Sequence, residues 1–291
     1  MSCLVSICIP TYNGGVYLQE ALDSILQQNF RDFEIIISDD QSKDETLKIA
    51  NKFKEAVDFP VKIYNHNPNG IGANWNNCLE KAKGKYIKFL FQDDILYSTC
   101  ISDMTKFLED NKDISLVASK RDFIVESNLN KDLKKWIQTY GNLQCQFKNL
   151  SQTLVLDKKV FRSDFFLQSP LNKIGEPSVV MFRNDILKKV GYFREDLKQI
   201  LDYEFYYRIL KKQQIAILNK KLVAFRIHDD QATNINRSSK INDYKIYNEI
   251  LYKEYFWLLN KDYQKKYFLE FHPFAPIVKY AIKLKNKVLK A

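Results

Sequence analysis

Short, dense apolar runs alternate with amphipathic stretches through the first part of the chain. Residues 4–9, 33–38, 61–64, 86–91 and 114–119 are mostly apolar and only a few positions long, the pattern of strands covered on both faces. Between the first two, Leu18, Ala21, Leu22, Ile25 and Leu26 recur at helical spacing within 17–28. Ser42 stands three residues before Glu45, which predicts a capping box opening a helix to about Val57. A helix over 73–83 is expected to stop at Gly84, a residue free to take the conformation that closes helices. Strand and helix in alternation predict a mostly parallel sheet with helices on both faces. The pattern loosens between Val125 and Lys173. It returns with a strand in 177–182, helices over 185–190 and 202–211, and a pair of short strands at 215–218 and 222–225. Beyond Gln231 the chain reads as helical to its end.

The 291 residues, 45% hydrophobic, suffice for one large α/β domain with an appendage. Five cysteines, odd in number and without metal-ligand spacing, read as free thiols in a reducing compartment. The chain opens directly on a strand pattern and contains no uninterrupted run of eighteen apolar residues, so a cytoplasmic protein, soluble or peripheral on the inner face of the membrane, is expected. The formal charge of +10 is uneven: from Lys261 onward eight lysines face only Asp262 and Glu270. Such clustering argues against a nucleic-acid footprint, so no nucleic-acid partner is expected. Within that tail Ile277, Ala281, Leu284 and Val288 share one helical face and Lys279, Lys283 and Lys287 another. Residues 275–291 therefore fit either an anionic membrane surface or a terminal helix docked on its own domain.

Candidate chemistry sits at the ends of two predicted strands. Asp39-Asp40 and Asp93-Asp94 both follow such runs, and open α/β sheets bind ligands outside the carboxyl ends of their strands. Carboxylates gathered at one edge repel one another unless a cation joins them. Oxygen donors favour a hard divalent ion, Mn²⁺ or Mg²⁺, which could bridge to a diphosphate. Other nucleotide folds fit poorly. Gly70 and Gly72 begin a GxGxxG, but Trp75 occupies the third glycine's place, and no P-loop or GxSxG elbow occurs.

Five segments carry a resemblance. SICIPTYN, EIIISDDQSKDET, GKYIKFLFQDDIL, EPSVVMFRNDILKKVGYF and LDYEFYYRIL, in that order over roughly residues 4 to 230, resemble glycosyltransferase family 2. The resemblance implies a GT-A fold, α/β and Rossmann-like, in residues 1–230. The nucleotide-sugar half would be about 1–120 and the acceptor half about 121–230, followed by a helical basic extension over 231–291. It implies an inverting, metal-dependent transfer of a sugar from a nucleotide-sugar to an acceptor hydroxyl. The acceptor would be a saccharide or lipid-linked saccharide, in surface polysaccharide or glycolipid synthesis.

By the same resemblance Pro10, Thr11 and Tyr12 form the first loop against the nucleotide. Asp40 accepts a hydrogen bond from a pyrimidine imide, favouring a UDP- or dTDP-sugar. Asp94 is the direct metal ligand and Asp93 lies nearer the ribose. Phe91 departs from the pattern, since many members carry another aspartate there. Asn74 and Asn77 either touch the nucleotide or face solvent. Asp202 matches the catalytic base, which an acceptor hydroxyl needs because it is a poor nucleophile while it keeps its proton; Glu204 points elsewhere. Arg226 and His228, two apart, face one side of an extended segment and close over the diphosphate or metal, whereas His66 and His272 are structural. The alternative is a nucleotide-sugar-binding module without catalysis, disfavoured by the joint presence of Asp40, Asp94 and Asp202.

Overall fold

A computed structural model gives the fold and describes residues 3–125, 131–147, 152–228, 231 and 241–288. The predicted strands appear as β1 (Val5–Thr11), β2 (Phe33–Asp39), β3 (Val61–Asn65), β4 (Tyr86–Phe89) and β6 (Ile114–Val125), with a two-residue β5 (Ile95–Leu96). Every residue of β1, β2 and β4 is buried, as their mostly apolar runs suit strands covered on both sides. The amphipathic stretches form α1 (Leu18–Leu26), α2 (Thr46–Ala56), α3 (Ile71–Lys81) and α4 (Cys100–Asp110). Downstream come α5 (Lys131–Tyr140), β7 (Leu154–Leu156), β8 (Val180–Arg183), α6 (Leu187–Val190), α7 (Leu201–Lys212) and β9 (Gln214–Ile227). One sheet holds all the strands, in the order β3-β2-β1-β4-β8-β6-β9-β5, with β7 also on β9. Strands β1 to β4 run parallel, β8 is antiparallel to both β4 and β6, and β6 is parallel to β9.

Three local expectations are corrected. Ser42 does not cap α2: its hydroxyl bonds Asp39 at 2.6 Å, and Glu45, next to the helix, makes no side-chain cap. Gly84 is not a helix closer, since α3 ends at Lys81. It is small because a Cβ there would lie 2.5 Å from the Ser6 amide nitrogen. The two short strands after 214 are one strand, β9, whose register against β6 slips beyond Ser119. A bulge lets a long strand bend without breaking its ladder.

The extension contains α8 (Asp243–Ile250), α9 (Lys261–Phe271) and α10 (Ala275–Val288), with a π turn over Leu251–Tyr255 and a 3₁₀ turn over Phe256–Leu258. Tyr247, Ile250, Leu251, Tyr255 and Tyr267 join the same hydrophobic core as the sheet. Asp243, buried, accepts three backbone N–H bonds from Lys198, Gln199 and Ile200 at 2.7–3.2 Å, immediately ahead of α7. The expected boundary at 230 lies outside the described residues, as do residues 289–291. All five cysteines are free.

Candidate active site

The first wall of the site is built where β1 and β2 end together. Pro10 and Thr11 are buried and Tyr12 is exposed on the rim. Asp39 is a strut rather than a ligand. Its carboxylate accepts from the Thr11 hydroxyl at 2.8 Å and from the Ser42 amide at 2.9 Å, which holds the loop after β2 against the loop after β1. Asn74 donates to the Thr11 carbonyl at 3.2 Å and Asn77 to the Ser38 hydroxyl at 2.7 Å. Both therefore bind the strand ends, and Asn77 faces neither open solvent nor a free cleft. Asp40, next along, has its Oδ1 2.5 Å from the His66 Nδ1. Burial pushes the Asp40 carboxyl above its ordinary pKa, His66 pulls it back, and Asp39 adds a smaller upward push. His66, expected to be structural only, is thus the partner of the residue expected to read the base.

The second wall is the end of β4. Here the two adjacent aspartates part company. Asp94 is enclosed, 1% exposed. Its Oδ1 accepts from the Arg226 amide at 3.1 Å, and its Oδ2 is buried without a hydrogen-bond partner among the described residues. Burial, with the Asp93 charge alongside, raises its pKa well above the carboxylate range. Asp93 instead faces a cavity, with its Oδ2 3.1 Å from the His228 Nε2.

Arg226 does not face that cavity. It is 4% exposed, donates to the Asp93 carbonyl at 2.9 Å, pairs with Glu20 at 2.5 Å and lies 4.8 Å over the Tyr17 ring. Its guanidinium props the turn that carries Asp93. The sequence expectation set Arg226 over the diphosphate; the structure turns its guanidinium to Glu20, the Tyr17 ring and the Asp93 carbonyl. Of the FRIHDDQAT segment, residues 229, 230, 232 and 233 lie outside the described residues.

The cavity, about 150 Å³, gathers residues from both halves of the chain: Asp93, Glu176 and Asp202 as carboxylates, Trp75, Phe91 and Phe225 as aromatic walls, with Lys198 and Gln199 at its edge. Asp202 opens α7, where a carboxylate also favours the positive end of the helix. Asn172 donates to its Oδ2 at 2.8 Å, while its Oδ1 is buried with no hydrogen bond among the described residues. Its pKa is pushed up to about 7, first by burial and further by the Glu176 charge, against the lowering effect of the Tyr203 amide. Glu176 itself pairs with Arg121 at 3.0 Å. Glu204 pairs with Arg208 at 2.9 Å within α7 and is absent from the cavity.

Chemically the arrangement offers a carboxylate poised to take a proton, a hydrophobic wall for a sugar ring, and an Asp93–His228 pair able to hold a hard cation. Among the described residues no group of three His, Cys, Asp or Glu side chains gathers as a metal site. Sequence reasoning missed Glu176, Asn172 and Trp75. Glu176 was within reach, as the acid heading the segment that enters β8. Asn172 carries no signal, because its stretch shows no period.

Comparisons with known proteins place the chain among relatives of the same fold. An uncharacterised protein of Mycobacterium tuberculosis is 32% identical over 225 residues, covering 75% of this chain and 66% of its own length. The chain thus spans about two thirds of that relative. Among solved structures, a portion of Staphylococcus aureus TarS in complex with UDP-GlcNAc superposes with a TM-score of 0.66 at 22% identity, covering 85% of this chain and 65% of that one. The Pyrobaculum calidifontis mannosyltransferase PcManGT, in complex with GDP-Man and Mn²⁺, does so with a TM-score of 0.55 at 13% identity, covering 98% and 81%. The profile described as Glycosyl transferase family 2 matches residues 6–191, well over half of the sequence, and the chain belongs to glycosyltransferase family 2.

Proposed function

We propose that the chain moves a sugar from a nucleoside diphosphate sugar to an acceptor hydroxyl, with Asp202 as the general base. One observation carries this: a carboxylate with a pKa of about 7 shares a cavity with Asp93 of the second strand-end pair. In the reaction the Asp202 carboxylate takes the acceptor proton. The acceptor oxygen forms its bond to the anomeric carbon as the bond to the diphosphate oxygen breaks, and the electron pair leaves on the diphosphate. Attack from the face opposite the leaving group inverts the anomeric centre. A base of this kind contributes on the order of 10²–10⁴-fold.

Asp40 would accept the imide N–H of uracil or thymine, which supports a UDP- or dTDP-sugar. UDP-GlcNAc and GDP-Man, bound by the two structural neighbours, carry different bases, so the support for a pyrimidine comes from Asp40 and its contact with His66.

For the metal, Asp93 and His228 fit better than Asp94. Their donor atoms converge at 3.1 Å at the cavity wall, whereas Asp94 is enclosed behind them. One or two protein donors are the usual complement for Mg²⁺ or Mn²⁺ that is also held by substrate phosphates. When bound, such an ion would neutralise the charge that develops on the leaving diphosphate. The acceptor side, formed by Glu176, Phe225 and Gln199, suits a saccharide or lipid-linked saccharide at the cytoplasmic face of a membrane, in polysaccharide or glycolipid synthesis.

The test is Asp202→Asn. Nucleotide affinity should stay within about twofold while turnover with the acceptor falls by at least about 10²-fold. Retained turnover would remove Asp202 from the chemistry, and intact donor binding with no turnover even in the wild-type chain would favour a binding module.

A further inference from the structure

The C-terminal helix α10 leaves most of its surface uncovered. Between residues 273 and 283 only Ala275 is buried and only Val278 is half-buried; the other positions are exposed. Phe274, Ile277 and Tyr280 are 63–66% exposed, within a span of seven residues. On a helix turning 100° per residue, Ala275, Val278 and Ile282 form one stripe, the stripe that packs toward α9. Ile277 and Ala281, both exposed, lie on a second stripe well away from it. Lys279 and Lys283, both exposed, occupy the sector between the two stripes. From Phe271 to Ala291 the sequence has five lysines and no acidic residue.

We propose that this second stripe of α10 docks on an anionic lipid bilayer. A helix packed by one narrow stripe gains nothing from a second apolar stripe in water, where each exposed side chain forgoes burial. Contiguous exposed apolar surface on a helix marks a docking face. The flanking positive charge, unopposed by any carboxylate along twenty residues, selects a negatively charged partner and disfavours a second copy of the same basic segment, which would bring like charges together. A helix of 14 residues is about 21 Å long, too short to cross a hydrocarbon core of about 30 Å, so the helix would lie in the plane of the interface. Docking of this kind would bring the chain to lipid-linked molecules at the bilayer surface. It stands apart from the transfer chemistry, because vesicle binding is measured with no donor present.

The experiment is flotation of the full chain with phosphatidylcholine vesicles containing or lacking phosphatidylglycerol. Binding is expected to the anionic vesicles, to be weak on the neutral ones, and to fall as salt rises. The variant Ile277→Asp with Tyr280→Asp should lose it while keeping its circular dichroism and melting temperature, since both side chains are exposed. Lys279→Gln and Lys283→Gln should each weaken partitioning by about fivefold. Unchanged flotation of the double aspartate variant would overturn the proposal. So would a chain that ignores the vesicles and sediments as a dimer that the same variant dissociates, since the face would then serve a second copy.

Discussion

At the scale of single residues the site rests on carboxylates treated differently by their surroundings. Asp39 is spent on hydrogen bonds, Asp40 meets His66, Asp93 faces the cavity and Asp94 is sealed behind it. Asp202 is held near neutrality. Since a base must be ionised to accept a proton, turnover should rise with pH through about 7, by roughly tenfold between one unit below and one above. A pH profile of kcat flat across that window would contradict the assignment. The same shift has a cost in stability. The folded-state pKa lies above the unfolded value of 3.8, so Asp202 favours the folded state only while protonated, and that advantage is lost as pH rises through about 7. Asp202→Asn should therefore melt higher than the parent at pH 8, by a few degrees for each ~1 kcal/mol, and no higher at pH 4. Melting curves at the two pH values decide it. His66→Ala should weaken binding of the nucleotide by about 10- to 150-fold, the cost of losing a hydrogen bond to a charged group, with little change in kcat. An unaltered dissociation constant would leave His66 a bystander. These five aspartates stand out in the sequence because strand ends and helix starts expose side chains in a regular way. The division of labour between Asp93 and Asp94 is not, since neighbours in a turn point apart and only packing decides which is enclosed.

At the scale of elements the helices and strands follow the apolar period closely, and the misreadings are those in which a tertiary contact outbids a local rule. Ser42 has the spacing of a cap but spends its hydroxyl on Asp39. The bulged β9 looks like two strands because Asn219, Lys220 and Lys221 interrupt its apolar run. The extension was read as an appendage, yet Asp243 at the start of α8 binds three consecutive amides before α7. Lys198 and Gln199, which supply two of those amides, also line the cavity, so this carboxylate positions one wall and the helix that begins with Leu201 and Asp202. Asp243→Ala removes the shared acceptor of three backbone amides, that of Ile200 buried, a loss of about 1–3 kcal/mol. It should lower the melting temperature by several degrees and reduce kcat more than nucleotide affinity. A variant with native turnover would show that the extension does not support the site. Nothing in the sequence flags this contact, because it joins residues more than forty positions apart with α7 and β9 between them.

For the whole molecule, one sheet carries both halves, and the cleft opens where parallel β4 meets antiparallel β8. The alternation of strand and helix makes the parallel half readable in advance. The antiparallel insertion of β8 is not, because burial on both faces gives a strand the same composition whichever way it runs. That junction lets Glu176, just before β8, and Asp93, just after β4, reach one cavity with Asp202. The central claim is that this cavity is a metal-assisted donor site. Calorimetric titration of UDP, dTDP, GDP and CMP, with and without Mn²⁺, tests it most directly on the parent chain and on Asp93→Ala. The account expects one nucleoside diphosphate, most readily UDP or dTDP, to bind in the presence of Mn²⁺, with binding lost in the variant. Absence of binding by every nucleotide, in protein shown to be folded, would contradict it.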